Sequence, residues 1–274
     1  MFNTCLSDTG CVCVFLYRSL KMIESNVWEN DGESTMSRRS FYFALGCVLT
    51  WGFFATNLVS QATAEWKPGL VSFLLVGLVL PIVGILLSSF SRVAIISFIG
   101  FNLVVIPFGA VLGPLLAQYE LSQPGVVARA ALLTAAVTGM MGLSGLMFPQ
   151  FYRNIGGALF MALLCLLGVR ILQMFVPNLQ NVGFVDYAAA GLFALYIGYD
   201  MWRASEIPAN LDNAVDVAVS LYLDIINLFL NLLKISSDDW GNPAHTRKPP
   251  SFGWAVFFLP TLKYKYWLFQ KINV

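Results

Sequence analysis

The chain has 274 residues, of which 58% are hydrophobic and 11% charged, with a formal net charge of +1. Soluble domains carry about 25% charged residues, so a water-facing globule is excluded, because its surface would be largely apolar. The near-neutral balance and scattered Lys and Arg residues also exclude the basic footprint of a nucleic-acid binder.

Residues 1–39 read as a poorly structured N-terminal extension. They mix Glu24, Glu29, Asp31 and Glu33 with cysteines and one apolar patch, 11–17, that is too short to span a bilayer. No basic region precedes that patch, so it makes a poor secretory signal. Met36, followed by Ser37-Arg38-Arg39-Ser40 and a long apolar run, reads as the more natural start.

Seven apolar stretches follow, at 41–62, 70–88, 93–116, 126–146, 155–175, 184–201 and 214–235. Each has the length of about twenty residues that crosses a bilayer as a helix. Unbroken runs such as Leu70-Val71-Ser72-Phe73-Leu74-Leu75-Val76 lack the alternation of a barrel strand. The prediction is an all-α, polytopic membrane protein: a seven-transmembrane-helix bundle over residues 40–239, with connections too short to be soluble domains. Pro81, Pro107 and Pro114 predict bends in the second and third spans. Gly109 and Gly113, four apart, predict close helix packing inside the bundle. With the N-terminus cytoplasmic, Arg38, Arg39, Arg92, Arg153 and Arg203 lie inside against Lys67, Arg129, Arg170 and Lys234 outside, a small positive-inside bias. Arg129, Arg170 and Lys234 fall near span ends, where a long side chain reaches the interface. Residues 240–274, with Trp254, Trp267, Lys263, Lys265 and Lys271, form an aromatic and basic tail that suits an interfacial or a disordered segment.

The last span carries the chemistry. Asp216, Ser220, Asp224, Asn227 and Asn231 are spaced by four, four, three and four residues, which is one face of a helix. A stripe of that polarity cannot face lipid, so this helix belongs inside the bundle. The amides could serve as interhelical glue, but a carboxylate at Asp224 needs a proton, a cation or a partner. The preceding span ends in Tyr196, Tyr199, Asp200 and Arg203, again on one face. Adjacent spans are antiparallel neighbours, which lets Asp200 approach Asp224. Two carboxylates in one low-dielectric site share a proton, making a pH-responsive link between helices.

These residues carry a resemblance. The segment Ser220-Leu221-Tyr222-Leu223-Asp224-Ile225-Ile226-Asn227-Leu228-Phe229-Leu230-Asn231-Leu232-Leu233, with Gly198-Tyr199-Asp200 ahead of it, resembles the signature of the Bax inhibitor and lifeguard family. Ser236-Ser237-Asp238-Asp239 is similar to the chain end of bacterial members. The resemblance implies a seven-helix bundle with the last helix central, acting as a pH-sensitive calcium leak channel. It also implies that Asp200 and Asp224 are the pH sensor in the pore and that Arg92 is a latch toward them. Where some members carry a carboxylate on the second span, this chain has Pro81.

The sequence therefore predicts a cation leak with calcium as permeant ion and the lipid bilayer as its solvent, in the bacterial inner (plasma) membrane. Asp200 and Asp224, with the amide oxygens of Asn227 and Asn231, offer hard oxygen ligands for transient calcium, and Asp216 and Ser220 extend the pore-lining stripe. Two alternatives stand beside it: a non-conducting membrane modulator of partner proteins such as a quality-control protease, and a proton-coupled transporter. The five cysteines show no disulfide or zinc spacing, and the chain has one histidine, His245. No catalytic triad, phosphate loop or dinucleotide fingerprint is present in the sequence, so neither an enzymatic activity nor a cofactor is expected.

Overall fold

The computed structural model describes residues 36–175 and 184–238. The first of seven helices, α1 (Arg38–Ala62), starts at Ser37, whose hydroxyl accepts the Ser40 N–H at 3.2 Å and caps the helix. The second, α2, runs through Leu70–Leu74, a π-helical turn at Leu75–Val79, and Leu80–Phe90. Then come α3 (Ala94–Ser122), α4 (Val126–Met147), α5 (Pro149–Phe175), α6 (Phe184–Glu206) and α7 (Leu211–Asp238). No strand occurs among the described residues. The predicted extensions at 1–35 and 240–274 lie outside them.

Six of the seven helices are long and apolar enough to cross a membrane. The exception is α6, whose Asp186, Tyr187, Tyr196, Tyr199 and Asp200 dilute its apolar character. It is packed against α4, α5 and α7, which bury Asp186, Tyr196, Tyr199 and Asp200 but leave Tyr187 exposed. Large apolar side chains such as Phe43, Phe90, Ile95 and Leu132 point outward, as a lipid-facing surface requires. The chain is thus an all-α, integral, multi-pass membrane protein.

Two connections differ from the sequence expectation. Residues 149–154 were expected as a polar break, but Pro149 opens α5, leaving Phe148 alone between α4 and α5. Proline suits the first helical position because the missing N–H there has no intrahelical acceptor. After α3, which continues to Ser122, the chain turns at Gly125 with φ 84°, a left-handed conformation that favours glycine. The prolines also act differently from one another. The third helix runs on through Pro107 and Pro114. Pro81 stands two residues beyond the π-helical turn of α2, where its ring excludes an ordinary bond to the carbonyl four residues back, inside that turn.

The last helix is the axis of the bundle. Of its apolar window, 89% is buried, against 22–56% in the other five candidate spans. It contacts α1, α3, α4 and α6. Tyr222, fully buried, sits among Phe53, Phe101 and Phe108, and its hydroxyl meets Thr56 at 2.7 Å, which joins α1 and α3 to α7. Close backbone approach completes the packing. A Cβ at Gly109 would stand 2.9 Å from Val59, and one at Gly113 2.4 Å from Thr63, so this pair seats α3 on α1.

Candidate functional site

A buried polar stripe runs the length of α7, and neighbouring helices bond to it at Asp212, Asp216, Ser220 and Asn231. Asp212, Asp216, Ser220, Asp224, Asn227 and Asn231 are all 7% exposed or less. At the end of the bundle where α1 begins, here the near face, Ser97 of α3 donates to Asp212 and Ser88 of α2 donates to Asp216, both at 2.5 Å. These bonds fasten the first turns of α7 to the α2–α3 corner. Asp212 also lies in the first helical turn, where the peptide dipoles favour negative charge. Arg92 is exposed in that corner, between the two serines in sequence. Asp224 lies eight residues beyond Asp216, about 12 Å farther along the helix.

The middle of the stripe faces α6. Ser220 donates a hydrogen bond to Asp200 Oδ2. At the opposite end Lys234 pairs with Asp186. The interval from Asp186 to Asp200 equals that from Ser220 to Lys234, so α6 and α7 run antiparallel without slippage. In that register Tyr196 is level with Asp224. Asp200 is level with Ser220, one turn or about 6 Å along the axis from Asp224. Tyr196, Tyr199, Asp200 and Arg203, expected on one face, are all buried, at 3%, 8%, 1% and 4% exposure.

The far end holds residues that the sequence reading set aside. Arg170 of α5 donates to Asp186 Oδ1 at 2.6 Å, to Asn231 Oδ1 at 2.9 Å and to Gln173 Oε1 at 3.3 Å. Lys234 meets the other Asp186 oxygen at 2.5 Å. Arg170 is 6% exposed and Asp186 2%, so this is a buried network rather than a guanidinium reaching the interface. Arg129, by contrast, is exposed, as expected. The signal for Asp186 was its place four turns before Asp200 on the same side of α6. The Asn231 amide oxygen, predicted as a calcium ligand, accepts here from Arg170, while the Asn231 and Asn227 amide N–H groups donate to the carbonyls of Asn227 and Leu223. Among the described residues no group of three or more His, Cys, Asp or Glu side chains is placed to hold a metal ion.

Helices that are apolar outside and wrapped about one central helix lined with carboxylates and amides define a multi-pass membrane protein with a polar interior. Comparison with known proteins makes this specific. Residues 34–239 match the family described as inhibitor of apoptosis-promoting Bax1, and the chain belongs to that family. An uncharacterized protein of Helicobacter pylori strain J99 is 29% identical over 188 residues, 68% of this chain and 70% of that protein. Protein LIFEGUARD 1 of Arabidopsis thaliana is 34% identical over 128 residues, 43% of this chain and 52% of that protein. The inner membrane protein YbhL of Escherichia coli strain K12 is 27% identical over 118 residues, 40% of this chain and 50% of its own length. The chain therefore spans about half of the latter two relatives.

Proposed function

We propose that the protein is a pH-sensitive cation leak pathway, with calcium as the permeant ion and no resident cofactor or enzymatic activity. Its place is the bacterial inner (plasma) membrane. Support comes chiefly from the stripe on α7, whose buried Asp224 lies one helical turn along the α6–α7 interface from the level of the buried Asp200 of α6. A carboxylate in a dry interior must be protonated, paired or bound to a cation. In this reading Asp200 and Asp224 share a proton in one state of the gate. When the proton leaves, two negative charges repel each other and attract a cation, and Arg92 at the near-face corner competes for them as a latch.

Calcium suits this interior because it takes flexible sets of oxygen ligands, and carboxylate, amide and hydroxyl oxygens follow one another along the stripe. The test is calcium flux through purified full-length protein in liposomes, measured across a pH series. Wild type should respond to pH, and Asp224→Asn and Asp200→Asn should each flatten that response. A response that survives both substitutions overturns the proton switch. A wild type that passes no calcium at any pH overturns the leak itself and favours a non-conducting modulator of partner membrane proteins.

A further inference from the structure

The outward side of α3 carries a polar residue where lipid offers it nothing to bond. Ile95, Ile99, Asn102 and Ile106 follow one another at intervals of four, three and four residues, which places them on one face of the helix. The three isoleucines are 73%, 53% and 48% exposed, and Asn102 between them is half-buried. Its carboxamide makes two hydrogen bonds among the described residues. Trp51 Nε1 of α1 donates to Oδ1 at 2.9 Å, and Nδ2 donates to the Phe98 carbonyl at 2.8 Å. A primary amide has two N–H donors and a carbonyl with two lone pairs, so one of each remains. The 29 residues of α3 span about 43 Å, against about 30 Å of hydrocarbon. With the overhang shared between its ends, Asn102, about 12 Å from the first turn, lies inside the lipid core, where an unmet amide is costly.

We propose that this face of α3 is the interface of a parallel homodimer, in which Asn102 of each copy bonds to Asn102 of the other. Two copies inserted in the same orientation are related by a two-fold axis along the membrane normal, so residues on the seam meet their own counterparts at equal depth. A side chain that is both donor and acceptor satisfies itself across such an axis, with Nδ2 of each copy donating to Oδ1 of the other. The spacing of the four residues is that of the a and d positions of a coiled coil, where a lone asparagine fixes register and the number of strands. Lipid tails are as apolar as isoleucine, so the isoleucines supply fit and the amide supplies the preference for protein over lipid. Trp51 stands beside the seam, 46% exposed, and its bond to Oδ1 holds the carboxamide in place. The dimer does not depend on the leak reading, and neither falls with the other.

The experiment places fluorescently labelled full-length protein in liposomes at decreasing protein-to-lipid ratios and counts photobleaching steps per particle. Wild type should pass from two steps to one on dilution. Asn102→Leu should raise the dissociation constant about tenfold, the scale of an interhelical amide pair in lipid. Asn102→Gln should keep most of the association, which a loss of packing alone would not allow. Disulfide trapping gives an independent reading. Ile99→Cys should form a covalent dimer well above the background of the native cysteines, and Leu132→Cys, on the outward face of α4, should not. Should Asn102→Leu fold poorly because Trp51 loses its acceptor, Asn102→Gln and the trapping still decide. Monomers at every density, a dissociation constant unchanged in Asn102→Leu, or equal trapping in the Ile99→Cys and Leu132→Cys variants each overturn the interface. Tightly held lipid on a protein that is monomeric throughout would give the seam to a lipid instead.

Discussion

Ser220 Oγ donates a hydrogen bond to Asp200 Oδ2 across the α6–α7 interface, one helical turn from Asp224. A hydroxyl that donates to a carboxylate favours its charged form. Ser220→Ala removes this donor from a buried carboxylate. Thermal unfolding in detergent should show a loss of roughly 1.5–3 kcal/mol, the range for a hydrogen bond to a charged group. An unchanged melting temperature would contradict this pairing across the α6–α7 interface.

Tyr222 tests the packing of the axis rather than its chemistry. Its ring contacts Phe53, Phe101 and Phe108, and its hydroxyl lies 2.7 Å from that of Thr56. Tyr222→Phe keeps the ring and costs about 1 kcal/mol, since Thr56 retains its bond to the Gly52 carbonyl. Tyr222→Ala leaves a cavity between three helices and costs about 3–5 kcal/mol. Thermal unfolding in detergent should show a small loss for the first and a large one for the second.

The helices and the stripe were legible in the sequence because both are periodic: lipid demands unbroken apolar runs, and a buried polar face repeats every three to four residues. The helix at α6 was also legible, although Asp186 and Asp200 dilute it and it falls outside the six helices apolar enough to cross a membrane. What escaped was pairing across helices. Ser88 and Ser97 are ordinary serines in apolar spans until the fold sets Asp216 and Asp212 against them. Arg170 and Lys234 read as interfacial from their places near span ends, a rule that holds for Arg129. It fails for Arg170 because Asp186, on another helix, makes burial affordable. The start of α5 at Pro149 was missed because polar Gln150, Arg153 and Asn154 look like a loop, whereas a helix can continue its polar first turn beyond the apolar core.

Glycine spacing yields a paired test on a single helix. A Cβ at Gly145 of α4 would stand 2.1 Å from the Gly198 carbonyl oxygen of α6, a backbone atom that cannot turn aside. At Gly139, six residues earlier, nothing lies within 4 Å. Gly145→Ala should therefore push α4 from α6 and lower the folded yield. Gly139→Ala should be neutral or gain slightly from the better helix propensity of alanine, by up to about 1 kcal/mol. Size-exclusion profiles and melting temperatures of the two variants in detergent should separate clearly; equal behaviour would mean that α4 and α6 are not in close backbone contact.

The contacts of Asp186 with Arg170 and Lys234 make an asymmetric prediction about stability, independent of whether ions pass. Removing the shared acid breaks the buried pair with Arg170, which costs about 3–5 kcal/mol. Removing Lys234 leaves Asp186 paired with Arg170. Asp186→Asn should therefore melt far below wild type, while Lys234→Met, at the partly exposed rim, should stay near it. Arg170→Met should fall between them, because it leaves Lys234 on Asp186 but takes the donor from Asn231, whose amide oxygen is fully buried. The ordering is what discriminates. If Lys234→Met melted as low as Asp186→Asn, both cations would be needed to hold Asp186 in place.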